Sequence, residues 1–473
     1  MSRQILFIVC LGCLFLAALG QARAQSSHSP HAESLDRALQ LARAHRYAEA
    51  SAAIRGVAAP EDHRQRIAFF RLRASIESGL GHSAAAAADM EAAAKLAPEN
   101  VELQVAASLA RLQVQLESHV NPAWTLQSLR SFTLPPDRLL ELRSRTAEIL
   151  SRAGLYREAA KDFEEASRLA PGRVDILFNL ALARYHHGDW DASLASAQQA
   201  KELEDSGSLE SLLGDLYEKR GDALSAVRSY QAAVTLDPTA EEYRLALARE
   251  LLKHQTFDAA IVVLEQAAEL LPRSIRVKIL LGLTYYLVDR SADSIRALLG
   301  AAELDPKDEL AARYLGEITL LDPAAPDPAA VTQICAFADA HSSSKSASAL
   351  CGGVLLRVSV EGGDMSHKPE ILRRLQQAVQ IAPQEPVARC QLGKAFEWSQ
   401  QWQEARAQLE KCVRLEPDSP EGHYRLARVY RRLGLSSLAN RQSALQQQAA
   451  QRQSEEGMRR ASTITRFLVL LDH

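Results

Sequence analysis

Helix-ending prolines recur along the chain with a regular period. Within two runs the spacing from one proline to the next is 34 residues. Each proline follows a helix-like stretch, and its ring ends an α-helix because it cannot continue the hydrogen-bond ladder. The period therefore predicts a repeated helical unit. The prolines of these runs, and two more that follow similar residues, are Pro98, Pro171, Pro238, Pro272, Pro306, Pro383 and Pro417.

Small and large residues recur at fixed offsets within each unit. In one copy Gly214 and Ala226 occupy small positions, whereas Tyr217 and Tyr230 occupy large positions. Small residues let two antiparallel helices approach closely, and large residues fill the space that remains. Five or more copies share these offsets, and strand-like alternation is almost absent from the sequence. The pattern therefore predicts pairs of antiparallel helices.

This pattern resembles the tetratricopeptide repeat, a helix–turn–helix unit of about 34 residues. The resemblance implies an all-α fold, a right-handed α-solenoid of antiparallel helix hairpins in which stacked neighbours share a continuous core. About twelve units are expected. Their predicted starts are His31, Ile67, Val101, Leu140, Val174, Gly207, Glu241, Ile275, Glu309, Lys345, Pro386 and Pro420.

Residues 1–24 are interpreted as a signal peptide. Arg3 supplies a positive end, residues 5–19 are mostly apolar, and residues 22–24 form a small-x-small cleavage site. A lipoprotein signal that ends at Cys13 and an uncleaved anchor are the alternatives. We expect an exported protein, either periplasmic or secreted. The sequence has no Asn-x-Ser/Thr sequon, and this absence favours a bacterial protein.

The rest of the chain is divided by composition and pattern. We expect a linker over residues 25–32, repeats over 33–434, a C-terminal capping helix over 435–462 and an apolar tail over 463–473. A membrane-spanning helix needs about 20 apolar residues. No segment after the leader meets that requirement, so no integral membrane span is expected once the leader is removed.

The charge balance and the number of cysteines restrict which classes of function and which compartments are compatible with the sequence. Lys and Arg number 55 against 58 Asp and Glu, and this balance argues against a nucleic-acid-binding protein. Four cysteines follow the leader, which permits two disulfides in an oxidising compartment. A bridge between Cys335 and Cys351 is one interpretation, and small buried thiols are the other. Cys390 and Cys412 are expected to face different ways.

The sequence offers little for catalysis. The segment His186 to Asp191 resembles a metal cluster, but the same place in the next unit holds an ordinary turn between helices. Asp215 and Glu218 have the chemistry of a glycosidase pair, although exposed helix faces commonly carry such residues. Phosphate loops and known catalytic motifs are absent from the sequence. We therefore predict no catalytic residue, no metal site and no cofactor.

The resemblance implies that the first helices line a concave groove, which holds an extended peptide or a helix of a partner protein. The C-terminal part of this groove would suit an acidic segment with an apolar anchor. The alternative is a set of solvated arginines on a capping face. The predicted partner-binding residues are Phe178, Tyr185, Arg249, Lys253, Tyr286, Lys394, Trp398, Tyr424, Arg428, Arg431 and Arg432, with Leu245, Ile279, Leu283 and Glu397 among their neighbours in the groove.

The favoured function is a non-enzymatic scaffold or adaptor of a bacterial envelope, which binds other proteins and no nucleic acid. Two alternatives remain open at this stage. One is an enzyme, such as a glycosidase, built on helical hairpins that close into a ring. The other is a self-assembling structural protein whose groove is filled by its own tail, residues 464–471.

Overall fold

The computed structural model describes residues 30–322 and 324–455 of the chain. These residues form α-helices joined by turns and loops, with no β-strand among them. The predicted fold class, an all-α helical-repeat solenoid, is confirmed, and its handedness stays a prediction. None of the helices in the described part is both long and apolar enough to cross a membrane. The interpretations of residues 1–24 and 463–473 lie outside the described residues.

The first compact unit ends at Gly221. Its described part consists of five pairs of helices and one further helix. The two helices of each pair are joined by a short connection and pack side by side, so they run antiparallel. The helices are α1 Pro30–Arg43, α2 Tyr47–Ile54, α3 His63–Gly79, α4 Ser83–Leu96, α5 Val101–Glu117, α6 Ala123–Ser131, α7 Pro136–Arg152, α8 Tyr156–Leu169, α9 Val174–His187, α10 Trp190–Leu203 and α11 Gly207–Lys219.

The second compact unit begins at Asp222. Its described part has one helix followed by six antiparallel pairs, and the first helices of successive pairs lie next to each other. The helices are α12 Ala223–Leu236, α13 Glu241–Lys253, α14 Phe257–Leu270, α15 Ile275–Leu287, α16 Ser291–Leu304, α17 Glu309–Leu321, α18 Pro328–Ala340, α19 Ala347–Gly362, α20 Lys368–Ile381, α21 Pro386–Trp398, α22 Trp402–Leu415, α23 Pro420–Arg432 and α24 Ser436–Glu455.

The observed helices begin close to the predicted repeat starts. The starts predicted at His31, Ile67, Leu140 and Lys345 lie within about one helical turn of the first residue of a helix. The remaining eight coincide with the first residue of a helix, at Val101, Val174, Gly207, Glu241, Ile275, Glu309, Pro386 and Pro420.

Side-chain caps help to define where several first helices begin. In each case a side-chain oxygen accepts a hydrogen bond from a backbone N–H in the first turn, which would otherwise lack a helical partner. Replacing such a cap by Ala typically costs about 1 kcal/mol. The capping residues are Asn100, Ser206, Ser274, Asp308 and Ser419.

The small positions of the repeat mark the closest approach of paired helices. A Cβ atom added to Gly282 would lie 2.7 Å from Leu298 Cγ, and one added to Gly393 would lie 2.7 Å from Leu409 Cγ. Such distances are too short for ordinary packing. The large position Tyr230 is almost completely buried. The small and large positions of the sequence therefore correspond to close helix contacts and to buried side chains in the packed pairs.

Tyrosine–glutamate hydrogen bonds join successive pairs in the second unit. The Tyr285 hydroxyl on α15 donates to Glu265 Oε1 on α14 at 2.6 Å. In the same way, Tyr430 on α23 donates to Glu410 Oε1 on α22 at 2.9 Å. Burial, supported by the hydrogen bond to the carboxylate, raises the pKa of each tyrosine to about 12.

These tyrosines predict a loss of stability at alkaline pH. An ordinary tyrosine loses its proton near pH 10, so the stability that these groups contribute is complete below about pH 10 and is lost as the pH rises towards 12. Urea denaturation at increasing pH checks this expectation. The double variant Tyr285→Phe with Tyr430→Phe should lose less stability between pH 10 and 12 than the wild type. An equal loss in both proteins would contradict the assignment.

Candidate partner-binding site

The predicted site residues of the first unit lie on α9. Phe178 and Tyr185 are half-buried and pack against the hydrophobic core between α9 and α11. The ring of His186 stacks on Tyr156 of α8 with 4.7 Å between centroids. The chain then turns at Gly188, whose φ of 90° suits glycine. The Phe178 and Tyr185 rings therefore pack within the helical core. His186 lies in the last turn of α9, and the connection to α10 consists of Gly188 and Asp189.

Further predicted residues lie on α13 and α15. Lys253 is exposed, with its Nζ 3.9 Å from Glu250 Oε2. Arg249 and Tyr286 are half-buried. Three neighbours assigned to the same groove are buried in the core instead, because their side chains face the packed interior. They are Leu245, Ile279 and Leu283, and the groove assignment is wrong for them.

Alternating charges join α21 and α23 near the C-terminal end of the second unit. Lys394 Nζ lies 3.3 Å from Glu421 Oε1. Arg425 pairs with Glu421 through Nε at 2.8 Å and with Glu397 through Nη1 at 2.9 Å. Arg428 Nε lies 3.2 Å from Glu397 Oε1. We call these five residues the charged cluster.

The charged cluster carries an excess of one positive charge, because three cations face two carboxylates. The Glu397 side chain within the cluster is buried, with only 4% of its surface exposed. Burial lowers the pKa of Lys394, and the carboxylate of Glu421 opposes this effect. Arg428 is different because half of its side chain is exposed. The excess positive charge is therefore most accessible at Arg428.

An exposed aromatic ring lies beside that arginine. Tyr424 is 48% exposed, and the Arg428 guanidinium carbon lies 5.8 Å from the centre of its ring. Trp398 is half-buried and packs against the core of the last pairs. Tyr424 and Arg428 thus offer an apolar face and a cation side by side. This arrangement suits a carboxylate next to an apolar side chain.

The structure does not bring Arg431 and Arg432 to this surface. Arg431 donates through Nη2 to Ser443 Oγ on α24 at 2.7 Å. The guanidinium carbon of Arg432 lies 5.8 Å from the ring centre of Trp402 on α22. These two arginines thus contact the second helices on either side of α23. Placing them beside Arg428 in one groove was therefore incorrect.

Two residues of the charged cluster were missed by the sequence reasoning, Glu421 and Arg425. They stand four positions apart on α23, and such pairs face each other on a helix surface. This spacing was a usable signal in the sequence. The contact of Arg425 with Glu397, by contrast, depends on how α21 packs against α23.

Both cysteine pairs of the described residues form disulfides. Cys335 on α18 bonds Cys351 on α19, with 4.8 Å between their Cα atoms. Cys390 on α21 bonds Cys412 on α22, with 5.0 Å between their Cα atoms. The expectation that the second pair faces different ways is wrong, because the close approach of α21 and α22 turns both side chains into one interface.

Metal-ligating side chains do not gather in the described part of the chain. Within residues 30–322 and 324–455, no group of three or more His, Cys, Asp or Glu side chains is placed to hold an ion. The charged cluster and Tyr424 offer ion pairs and an aromatic ring.

A family model described as tetratricopeptide repeat matches three spans of the chain, residues 145–207, 211–275 and 390–447. The third span contains Lys394 of α21 and the α23 residues of the charged cluster. No curated protein sequence matches the chain.

Solved structures of repeat proteins are similar to this chain at low sequence identity. The C-terminal part of a TPR repeat-containing protein from Cytophaga hutchinsonii is 17% identical, covering 60% of this chain and 98% of that one with a TM-score of 0.42. Yeast Tom70 is 14% identical, covering 88% and 96%, with a TM-score of 0.33. A tetratricopeptide repeat protein from Parabacteroides merdae is 12% identical, covering 64% and 99%, with a TM-score of 0.36.

Proposed function

The chain belongs to the tetratricopeptide repeat proteins, and from that premise we propose that it is an exported, non-enzymatic scaffold that binds an acidic segment of a partner protein. Tetratricopeptide repeats present helical surfaces that act in protein interaction. The proposed segment contacts the surface of α21 and α23. Its carboxylates approach Arg428, and an apolar side chain packs on Tyr424.

The observation that carries this proposal is the juxtaposition of Tyr424 and Arg428. Exposed aromatic and arginine side chains supply most of the binding energy in many protein interfaces. All three cations are paired with carboxylates, but the side chains of Lys394 and Arg425 are only 20% and 21% exposed, whereas that of Arg428 is 50% exposed. The excess positive charge of the charged cluster favours a partner of opposite sign, by attraction over a range of about 10 Å.

Export is supported by two separate features of the chain. Residues 1–24 have the charge, apolar run and cleavage site of a signal peptide. The four cysteines that follow are all paired, and structural disulfides persist mainly in oxidising compartments. A bacterial envelope is the proposed location, either the periplasm or the exterior.

The partner proposal is tested with a defined probe and one charge reversal. The probe is a short fluorescent peptide with several Asp residues around a central Leu, and its control replaces each Asp by Asn. We expect Arg428→Glu to weaken binding of the acidic peptide at least about tenfold, or about 1.4 kcal/mol, because the accessible cation becomes an anion. Higher ionic strength should weaken wild-type binding as well.

Arg296→Glu on α16 is the matched control, because Arg296 is an exposed arginine (78%) that pairs with an aspartate of its own helix. It should leave binding unchanged. Tyr424→Ala, which keeps every charge of the charged cluster, should weaken binding through the lost apolar contact. Equal binding of the Asp and Asn peptides, or an unchanged affinity in Arg428→Glu, would contradict the proposed site.

A further inference from the structure

A groove lies beside the shortened second helix of the third pair. The second helices α4, α8 and α10 each have 14 residues, whereas α6 has 9. The second helix α2 is shorter still, with 8 residues. A groove of about 550 Å³ lies beside α6 in the first unit. Its lining includes Asn121, Leu126, Gln127 and Arg130 from α6 and the residues before it, with Leu155 and Glu158 at the start of α8.

Two arginines hold α6 in place. Arg130 donates from Nη1 to Glu158 at 2.8 Å and from Nη2 to Asp162 at 2.5 Å, which ties α6 to α8. Arg143 of α7 donates to the carbonyl oxygens of Leu129 and Arg130 at 3.2 and 2.9 Å. Those carbonyls lie in the last turn of α6 and have no partner within the helix. The short helix is therefore fixed, and the groove is preformed.

Exposed apolar side chains adjoin the groove: Leu155 lines it, whereas Val120 and Trp124 are sequence neighbours of the lining residues Asn121 and Ala123. Trp124 is 67% exposed, Val120 is 52% exposed and Leu155 is 36% exposed. The guanidinium of Arg111 lies 5.8 Å from the Trp124 ring centre. Tryptophan is usually well buried on average, and it is enriched where proteins bind one another. An exposed tryptophan beside a preformed groove therefore marks an interaction surface.

The charged groups next to the groove neutralise one another. Three cations, Arg130, Arg143 and Lys161, pair with three carboxylates at distances of 2.5 to 2.6 Å for their closest contacts. These carboxylates are Asp162, Glu165 and Glu158. Arg111, beside Trp124, is paired with Glu91 at 2.8 Å. The amides of Asn121 and Gln127, both exposed, carry no charge. The groove therefore has no excess charge to neutralise a charged ligand.

We propose that this groove, the Trp124 groove, is a second docking surface that takes an uncharged apolar segment of a partner protein. An apolar side chain of the partner lies between Leu126 and Leu155 and against Trp124. The Asn121 and Gln127 amides hydrogen-bond the partner backbone. The electrically neutral lining matches an uncharged segment, because a charged side chain would lose its hydration without gaining a counter-ion. This surface is separate from the charged cluster and has the opposite charge preference.

The test uses the full chain and an uncharged probe. The probe is a fluorescent, acetylated and amidated peptide of Gly, Ser and Asn with a central Leu-Phe-Leu. One control peptide has Ser at the three central positions, and another has Asp on both sides of the Phe. We expect Trp124→Ala to weaken binding of the Leu-Phe-Leu peptide at least about tenfold, in line with tryptophan anchors elsewhere. Since Trp124 is exposed, its removal leaves no internal cavity.

Trp190→Ala is the matched control, because Trp190 on α10 is also exposed, at 42%. It should change the affinity by less than about twofold, and Leu155→Ser should weaken binding as Trp124→Ala does. Circular dichroism confirms that each variant is folded. The proposal is overturned if the Ser or Asp peptide binds as well as the apolar one. It is also overturned if Trp190→Ala weakens binding as much as Trp124→Ala, or if Arg428→Glu abolishes binding while Trp124→Ala does not.

Discussion

Replacing all four bridged cysteines by Ala is expected to lower the stability of the second unit by about 3 kcal/mol for each disulfide. Each bridge limits the conformations of the unfolded chain, and its effect grows with the length of the closed loop. The sequence separations are 16 for Cys335–Cys351 and 22 for Cys390–Cys412. In the chain-entropy account, loops of this size correspond to about 3 kcal/mol.

The two bridges act at different levels of the fold. Cys335–Cys351 joins α18 to α19 and therefore links one pair to the next. Cys390–Cys412 joins α21 to α22 within one pair. In a repeat array, a break between neighbours separates the stack, whereas a break within a pair loosens one unit. We expect the double variant Cys335→Ala with Cys351→Ala to expose α18 and α19, which the bridge joins.

Hydrogen exchange measured by mass spectrometry checks this prediction separately for each segment of the chain. Exchange should accelerate in α18–α22 when the bridges are removed, since local opening requires less free energy. The helices of the first unit, whose described residues contain no bridge, provide the internal control. Uniform acceleration over the whole chain, or no change in α18–α22, would contradict the prediction. Alkylation of the protein taken directly from cells shows whether the four thiols are already blocked, as export requires.

Asp162→Ala is expected to destabilise the first unit by about 3 kcal/mol. Asp162 is almost completely buried and accepts a hydrogen bond from Arg130 at 2.5 Å. Arg143, buried as well, lies 3.8 Å from its other oxygen. Burial raises the pKa of Asp162, and the two arginines oppose this effect. Removing the carboxylate leaves the buried charge of Arg143 and the half-buried charge of Arg130 less neutralised, which is costly away from water.

Asp175→Ala is the matched control in the same unit. Asp175 pairs with Arg173 at the same 2.5 Å, but its side chain is 59% exposed. Exposed ion pairs contribute about 0–1 kcal/mol, so this variant should be close to the wild type. Urea denaturation of both variants, with hydrogen exchange over residues 123–169, provides the measurement. Similar losses in the two variants would show that burial does not determine the effect.

The binding surfaces were only partly accessible to sequence reasoning. The repeat offsets placed Lys394, Tyr424 and Arg428 on first helices, where the structure has them. They did not separate Arg431 and Arg432 from Arg428, because these side chains are directed by contacts with α24 and α22. The repeat offsets also gave no signal for the groove beside α6, because its lining comes from α6, from the residues before it and from the start of α8.

The sequence by itself determined the helical repeat. Its period, its helix-ending prolines and its alternation of small and large residues are local properties, because each depends on helix geometry and on the partner within one pair. The close approach at Gly393 and the burial of Tyr230 follow from that pattern.

Tertiary structure alone decided which side chains meet between helices. The bridge Cys390–Cys412, the contact of Arg425 with Glu397 and the groove beside the shortened α6 all depend on the rotation of one packed helix against another. A rotation of a fraction of a turn changes which residues face each other, and the repeat pattern specifies the packed face without specifying that angle.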